Sequence, residues 1–171
     1  MSAHVGNNSG NYEWYTPPEY IEAARSVLYG IDTDPASSAE ANKIVSADVF
    51  YTIDNSGLDN DWYGKVWMNP PYSQPAITKF CKKLIEQIDL KNVVEAITLT
   101  NNATETKWFN LLSSRCSAIC FPTGRIRFLS PDGEKGAPLQ GQAFMYFGGD
   151  VRGFIDYFDQ FGVVFVKEEW V

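Results

Sequence analysis

Histidine and cysteine are scarce in this chain. His4 is the single histidine among 171 residues, and Cys81, Cys116 and Cys120 are the only three cysteines. Cys116 and Cys120 sit in one apolar segment with no second pair to complete a ligand set, so the spacing argues against zinc and no metal is expected. An odd number leaves one thiol unpaired in any disulfide scheme. The three read as reduced, buried thiols acting as small hydrophobes, in a reducing, cytoplasmic setting. No apolar run approaches the ~20 residues of a membrane span, so no membrane partner is expected. The opening "MSAHVGNNSGN" has neither the basic flank nor the apolar stretch of a secretory leader, and residues 1–12 read as a flexible arm. There is no internal repeat and no linker rich enough to divide the rest, so 13–171 is expected to be a single domain.

Positive charge is also in deficit. Lys and Arg number 14 against 21 Asp and Glu, a net charge of −7, which opposes the simplest picture of a nucleic-acid binder. The distribution is uneven, however. Asp32, Asp34, Asp48, Asp54, Asp59 and Asp61 crowd the first third, whereas basic residues gather at Lys79, Lys82 and Lys83 and again at Arg125, Arg127 and Lys135. A polarised surface reconciles the two facts.

What is present is an ordinary globular composition, 44% hydrophobic and 20% charged. Thr16-Pro17-Pro18-Glu19 predicts a helix start, with Thr16 and Glu19 as a T-x-x-E capping box and an apolar face on Ile21, Ala24 and Leu28. "YGIDTD" reads as a short strand ending in acids, and "PASSAEAN" as a turn and brief helix. "KVWM" is a strand. After a proline turn, Ile77, Phe80, Cys81, Leu84, Ile85 and Ile88 recur at helical spacing. "NVVEAITLT" predicts a strand, "TETKWFNLLS" a helix with Thr104 as a natural cap, and "SAICF", "RIRFL" and "QAFMYF" three more strands. "RGFIDYFDQF" and "VVFV" add a helix and a strand. Strands alternating with helices predict an α/β domain, a mostly parallel sheet flanked by helices, with antiparallel pairing near the C-terminus. Such sheets bind ligands beyond the carboxyl ends of their strands. Three features fall there: the acids of 32–34, the turn at Asn69, and "TNNATET" after Thr98.

That turn, Asn69-Pro70-Pro71-Tyr72, is a rigid unit poor in backbone donors. An exocyclic amine conjugated to a ring, as in adenine or cytosine, has a delocalised lone pair and is a weak nucleophile. Two acceptors on its two N–H groups pull the nitrogen towards tetrahedral geometry. The Asn69 side-chain oxygen is one acceptor, and the Pro70 carbonyl is another, held because Pro71 restricts Pro70 to extended geometry. Neither proline has an N–H to compete, and Tyr72 offers a π-face for the ring. The turn therefore reads as a preorganised cradle for a planar amine; the bland reading is a strand-ending turn with a surface tyrosine.

In this setting "NPPY" is similar to the catalytic motif of S-adenosylmethionine-dependent amino-methyltransferases. With "EWYTPPEYIEAAR", "VWMNPPYS", "NATETKWF" and "GRIRFLSPDG" in that order, the chain resembles the phage-type Dam family of DNA N6-adenine methyltransferases. The resemblance implies a Rossmann-like methyltransferase fold, S-adenosylmethionine as cofactor, and double-stranded DNA with a flipped base as partner, in a host cytoplasm if phage-encoded. It implies that Asn69 and Pro70 bind the amine and that Tyr72 stacks on the base. Thr16 and Pro17 match an element that helps hold the methionine part of the cofactor. Trp14 beside them could stack on cofactor or base, or serve as a hydrophobic staple. Asp32 matches the acid that binds the ribose hydroxyls, and Asp48 the acid that accepts from the cofactor's adenine amine. The family's Gly-rich G-x-G loop is absent, and Asp34-Pro35-Ala36 could instead be a worn first-strand motif, which would move the ribose role. Arg125 and Arg127 alternate on one face, suited to phosphate or base-edge contact with DNA or to a solvated strand face. The expected activity is methyl transfer to adenine N6 in DNA. The alternatives are another amine (RNA base, cytosine N4 or protein glutamine) or an inactive nucleotide- or DNA-binding module.

Overall fold

The structure is a computed structural model that describes residues 14–138 and 140–168; the arm expected over 1–12 lies outside them. In chain order the elements are α1 (Pro18–Leu28), β1 (Thr33–Asp34), α2 (Asn42–Val45), β2 (Val49–Phe50), β3 (Gly64–Met68), α3 (Ala76–Asp89), β4 (Val93–Asn101), α4 (Lys107–Arg115), β5 (Ala118–Pro122), β6 (Gln142–Phe147), α5 (Val151–Phe158) and β7 (Gly162–Val166). The strands form one sheet in the order β2-β1-β3-β4-β6-β5-β7. Pairing is parallel from β2 through β1 and β3 to β4. β6 runs antiparallel between β4 and β5, and β7 antiparallel to β5. This is the mixed α/β sheet expected from the alternation of strand and helix patterns.

Period-two alternation in β3 divides the core. Val66 and Met68 point to one face, where they join Ile77, Phe80, Leu84, Trp108 and Leu112 of α3 and α4. Trp67 points to the other, where it joins Ile21, Ala24 and Leu28 of α1 and Phe154 and Phe158 of α5. Each such fully buried large side chain contributes ~1.5–3 kcal/mol of transfer free energy. The cysteines are free and buried. Burial pushes the thiols of Cys81 and Cys120 up to about 12 and that of Cys116 up to about 11, so none is a ready nucleophile at neutral pH.

Three local expectations are corrected. The N-cap of α1 is Pro17, without a side-chain cap, because the Thr16 hydroxyl accepts a hydrogen bond from the Asn69 side chain instead. The cap of α4 is Thr106, which accepts from the Phe109 N–H, not Thr104. "RIRFL" does not enter the sheet. Leu129 exchanges both backbone hydrogen bonds with Tyr15 (2.8 Å each) and also bridges Lys135, so this segment folds into a small hairpin docked on the chain entering α1. Gly136 lets the Trp14 ring pack there, since a Cβ at that position would lie 2.5 Å from the ring and push it aside.

Candidate active site

β3 ends where its donors end. Met68 is the last ladder residue, and Pro70 and Pro71 carry no N–H to extend it. The turn that follows crosses the carboxyl edge of the sheet. Asn69 faces the α1 side, where its Nδ2 donates to Thr16 Oγ1 at 3.1 Å. Tyr72 packs its half-buried ring against the α3–α4 core. Its hydroxyl donates to Asn69 Oδ1 at 2.7 Å, with Gln142 Oε1 at 3.2 Å and Leu99 O at 3.4 Å also within reach. Gln142 in turn donates from Nε2 to Asn101 Oδ1 at 2.9 Å. Asn69 is therefore fixed at both ends of its amide, with its nitrogen towards Thr16 and its oxygen towards Tyr72. Burial raises the Tyr72 hydroxyl well above its ordinary value, so it keeps its proton to donate at any working pH. Pro70 is buried, and among the described residues its carbonyl accepts no hydrogen bond.

A cavity of about 60 Å³ opens beside the turn, lined by Trp14, Thr16, Asp34, Trp67 and Asn69 among others. Asp34 is 3% exposed and accepts from the Ala36 N–H at 3.2 Å. Among the described residues it has no ion-pair partner. Burial without a cation raises its carboxyl to about 7, although the Ala36 and Ser37 hydrogen bonds pull the other way. The cavity has room for the polar end of a ligand, and the rest of a larger molecule would lie along its open rim.

The other two candidate acids are elsewhere. Asp32 Oδ2 accepts from the Lys65 N–H at 2.7 Å, and its carboxylate fills the space where a Cβ at Gly64 would stand, 2.1 Å away. Gly64 has φ 67° at a register shift in the β3–β4 pairing, so Asp32 and Gly64 together form the start of β3. Asp48 is exposed and precedes β2, at the amino ends of the parallel strands, whereas Asn69 and Asp34 lie at the carboxyl ends. Trp14 and Thr16 thus share the cavity with Asp34, and Asp32 and Asp48 do not.

Pro17 belongs to a second, open cavity of about 200 Å³. Its remaining lining is Glu19, Tyr20, Arg125, Arg127 and Lys135. Arg125 and Arg127 are exposed while Ile126 between them is 2% exposed, so the alternation seen in the sequence holds without a sheet. Three cations against one carboxylate make this cavity basic in a chain whose net charge is −7.

The description "DNA N-6-adenine-methyltransferase (Dam)" belongs to the family whose model matches residues 6–146. The chain belongs to the Dam family. It is 32% identical over 146 residues to a DNA N-6-adenine-methyltransferase of Escherichia phage T1, covering 75% of this chain and 57% of that protein. It is 33% identical over 122 residues to a protein of the same description from Haemophilus phage HP1 (strain HP1c1), covering 68% of this chain and 66% of that one. The chain thus spans somewhat under two thirds of each of these relatives. The Dam match takes in both cavities, the Asn69 turn and all of β6 but its last residue, and stops before α5 and β7. Reading this Dam chain by sequence alone missed Gln142 and the partnership of Thr16 with Asn69. The available signal was a glutamine at the head of an otherwise apolar strand, "QAFMYF".

Proposed function

We propose that this chain transfers a methyl group from S-adenosylmethionine to the exocyclic N6 amine of adenine in DNA. The observation that carries the reading is Asn69 fixed at the carboxyl edge of a parallel sheet, beside a cavity lined by a buried carboxyl group, on a turn whose Pro70 carbonyl is unengaged among the described residues. Two acceptors on one rigid turn suit the two N–H groups of a planar amine, and the exposed part of the Tyr72 ring suits stacking of the base. A lone buried carboxyl facing a cavity fits a ligand that brings positive charge. S-adenosylmethionine supplies an electrophilic methyl on a cationic sulfur when bound. Asp34, Thr16 and Trp14 are the residues that would hold its methionine end; Asp32, which the family resemblance assigns to the ribose hydroxyls, is engaged at the start of β3. Along the duplex, Arg125 and Arg127, with Lys135, supply the sequence-blind phosphate attraction that the rest of an acidic surface withholds.

Family membership and the names of the phage relatives support adenine in DNA over the other amines. The test is a competition of acceptors. With labelled S-adenosylmethionine, unmethylated duplex DNA should take up label, and nucleoside digestion should return it as N6-methyladenosine. Label at cytosine, or in RNA or protein alone, would transfer the activity to another amine, and donor binding without transfer to any of them would make the chain a binding module.

A further inference from the structure

Asn69 Oδ1 carries a conflict that the amine reading must resolve, and the resolution proposed here rests on that reading. The oxygen meant for the substrate amine already accepts from Tyr72 at 2.7 Å. A hydroxyl donating to an amide oxygen withdraws electron density from it, and so weakens it towards a second donor. Tyr72 has one proton to give, and two side-chain oxygens lie in reach: Asn69 Oδ1 at 2.7 Å and Gln142 Oε1 at 3.2 Å. Rotation about the phenolic C–O bond moves that proton from one to the other without moving the ring.

We propose that Gln142 is a positioning residue for methyl transfer: it takes over the Tyr72 hydrogen bond when the substrate amine arrives, and so releases Asn69 Oδ1 as a full acceptor. Gln142 is built for this task. It is 5% exposed, and its Nε2 is committed to Asn101 Oδ1 at 2.9 Å, which fixes its own oxygen towards Tyr72. The third oxygen in reach, Leu99 O at 3.4 Å, is a backbone carbonyl of the β4–β6 ladder and the weaker alternative. The five side chains Thr16, Asn69, Tyr72, Gln142 and Asn101 thus form one line from the α1 side of the sheet to the carboxyl end of β4. Because the ring stays in place throughout, its exposed part remains available to the base.

Gln142→Met keeps the volume and removes the alternate acceptor, leaving the hydroxyl on Asn69. The expected result is a roughly tenfold fall in kcat, the effect of about one hydrogen bond, with KM for DNA and for the methyl donor within about twofold of wild type. Adding Tyr72→Phe removes the competing hydroxyl, so the double variant should turn over faster than Gln142→Met alone. A residue that only stabilises β6 predicts the opposite, losses that add. Thermal melts establish that each variant is folded, and Gln142→Asn, which withdraws the acceptor by one methylene, serves if Gln142→Met does not fold. The proposal is overturned if Gln142→Met has wild-type kcat, or if the double variant is no faster than the single. In either case an inactive Asn69→Ala would leave the amine cradle standing. An Asn69→Ala protein that still transfers methyl at the wild-type rate would remove the cradle and this proposal with it.

Discussion

Asp34→Asn should make this protein more stable above neutral pH and poorer at holding its ligand. The asparagine retains an oxygen for the Ala36 N–H, so the substitution removes the charge and little else. Burial raises the Asp34 carboxyl to about 7, against roughly 3.9 in an unfolded chain. The folded state therefore binds this proton more tightly than the unfolded state does. Its contribution to stability is complete below pH ~4 and is lost as pH rises through about 7. Between pH 5 and pH 8 the shift corresponds to two units, or about 3 kcal/mol of lost stability. Denaturant midpoints at those two pH values, for wild type and Asp34→Asn, read the difference directly. Wild type should fall further than the variant by an amount of that order, with unchanged m-values. Parallel behaviour of the two proteins would mean that Asp34 is not a buried, unpaired carboxyl, and would remove its claim on a cationic ligand. Binding of S-adenosylmethionine should weaken in the same variant, because the attraction that makes the ionised carboxyl worthwhile is gone.

Asp32→Ala should cost on the order of 2 kcal/mol in chemical denaturation, by releasing the charged hydrogen bond to Lys65 N–H, while leaving donor affinity within a few-fold; a large affinity loss in a fully folded variant would restore the ribose role to Asp32. Thr16→Val should lower kcat about tenfold by freeing the Asn69 amide to rotate, and a wild-type kcat would show that Thr16 does not orient it. Arg127→Ala should weaken binding to two unrelated duplexes alike and reduce the salt slope by about 1, as loss of one phosphate contact requires; a loss confined to one sequence would make it a base-edge contact.

The chain's periodicities were enough to read most of the fold. Apolar residues from Ile77 to Ile88 recur at helical spacing and are the buried face of α3, and the strand patterns of β4, β5, β6 and β7 lie where they were expected. Spacing was not enough to choose between Asp32 and Asp34. The two point the same way in an extended segment, and only their distance along it, roughly 6.6 Å, decides which reaches the sheet's carboxyl edge and which stays at the start of β3. The place of Asp48 ahead of β2 was not legible for the same reason, since position relative to the strand ends is set by tertiary register. The hairpin at 129–135 escaped because its alternation satisfies a bridge to Tyr15 as readily as a place in the sheet. Thr16 looked like a cap because Thr-Pro-Pro-Glu is a good helix start. Its buried hydroxyl instead meets a side chain 53 positions away, a contact no local pattern carries.

Asn69→Ala tests the central claim most directly. Losing one preorganised acceptor from a transition state costs on the order of 3 kcal/mol, a rate factor of ~10² or more. Transfer of labelled methyl from S-adenosylmethionine to unmethylated DNA should therefore fall at least that far, with N6-methyladenosine as the wild-type product and donor affinity within a few-fold of wild type. Near-normal turnover by a folded Asn69→Ala protein would contradict the amine cradle.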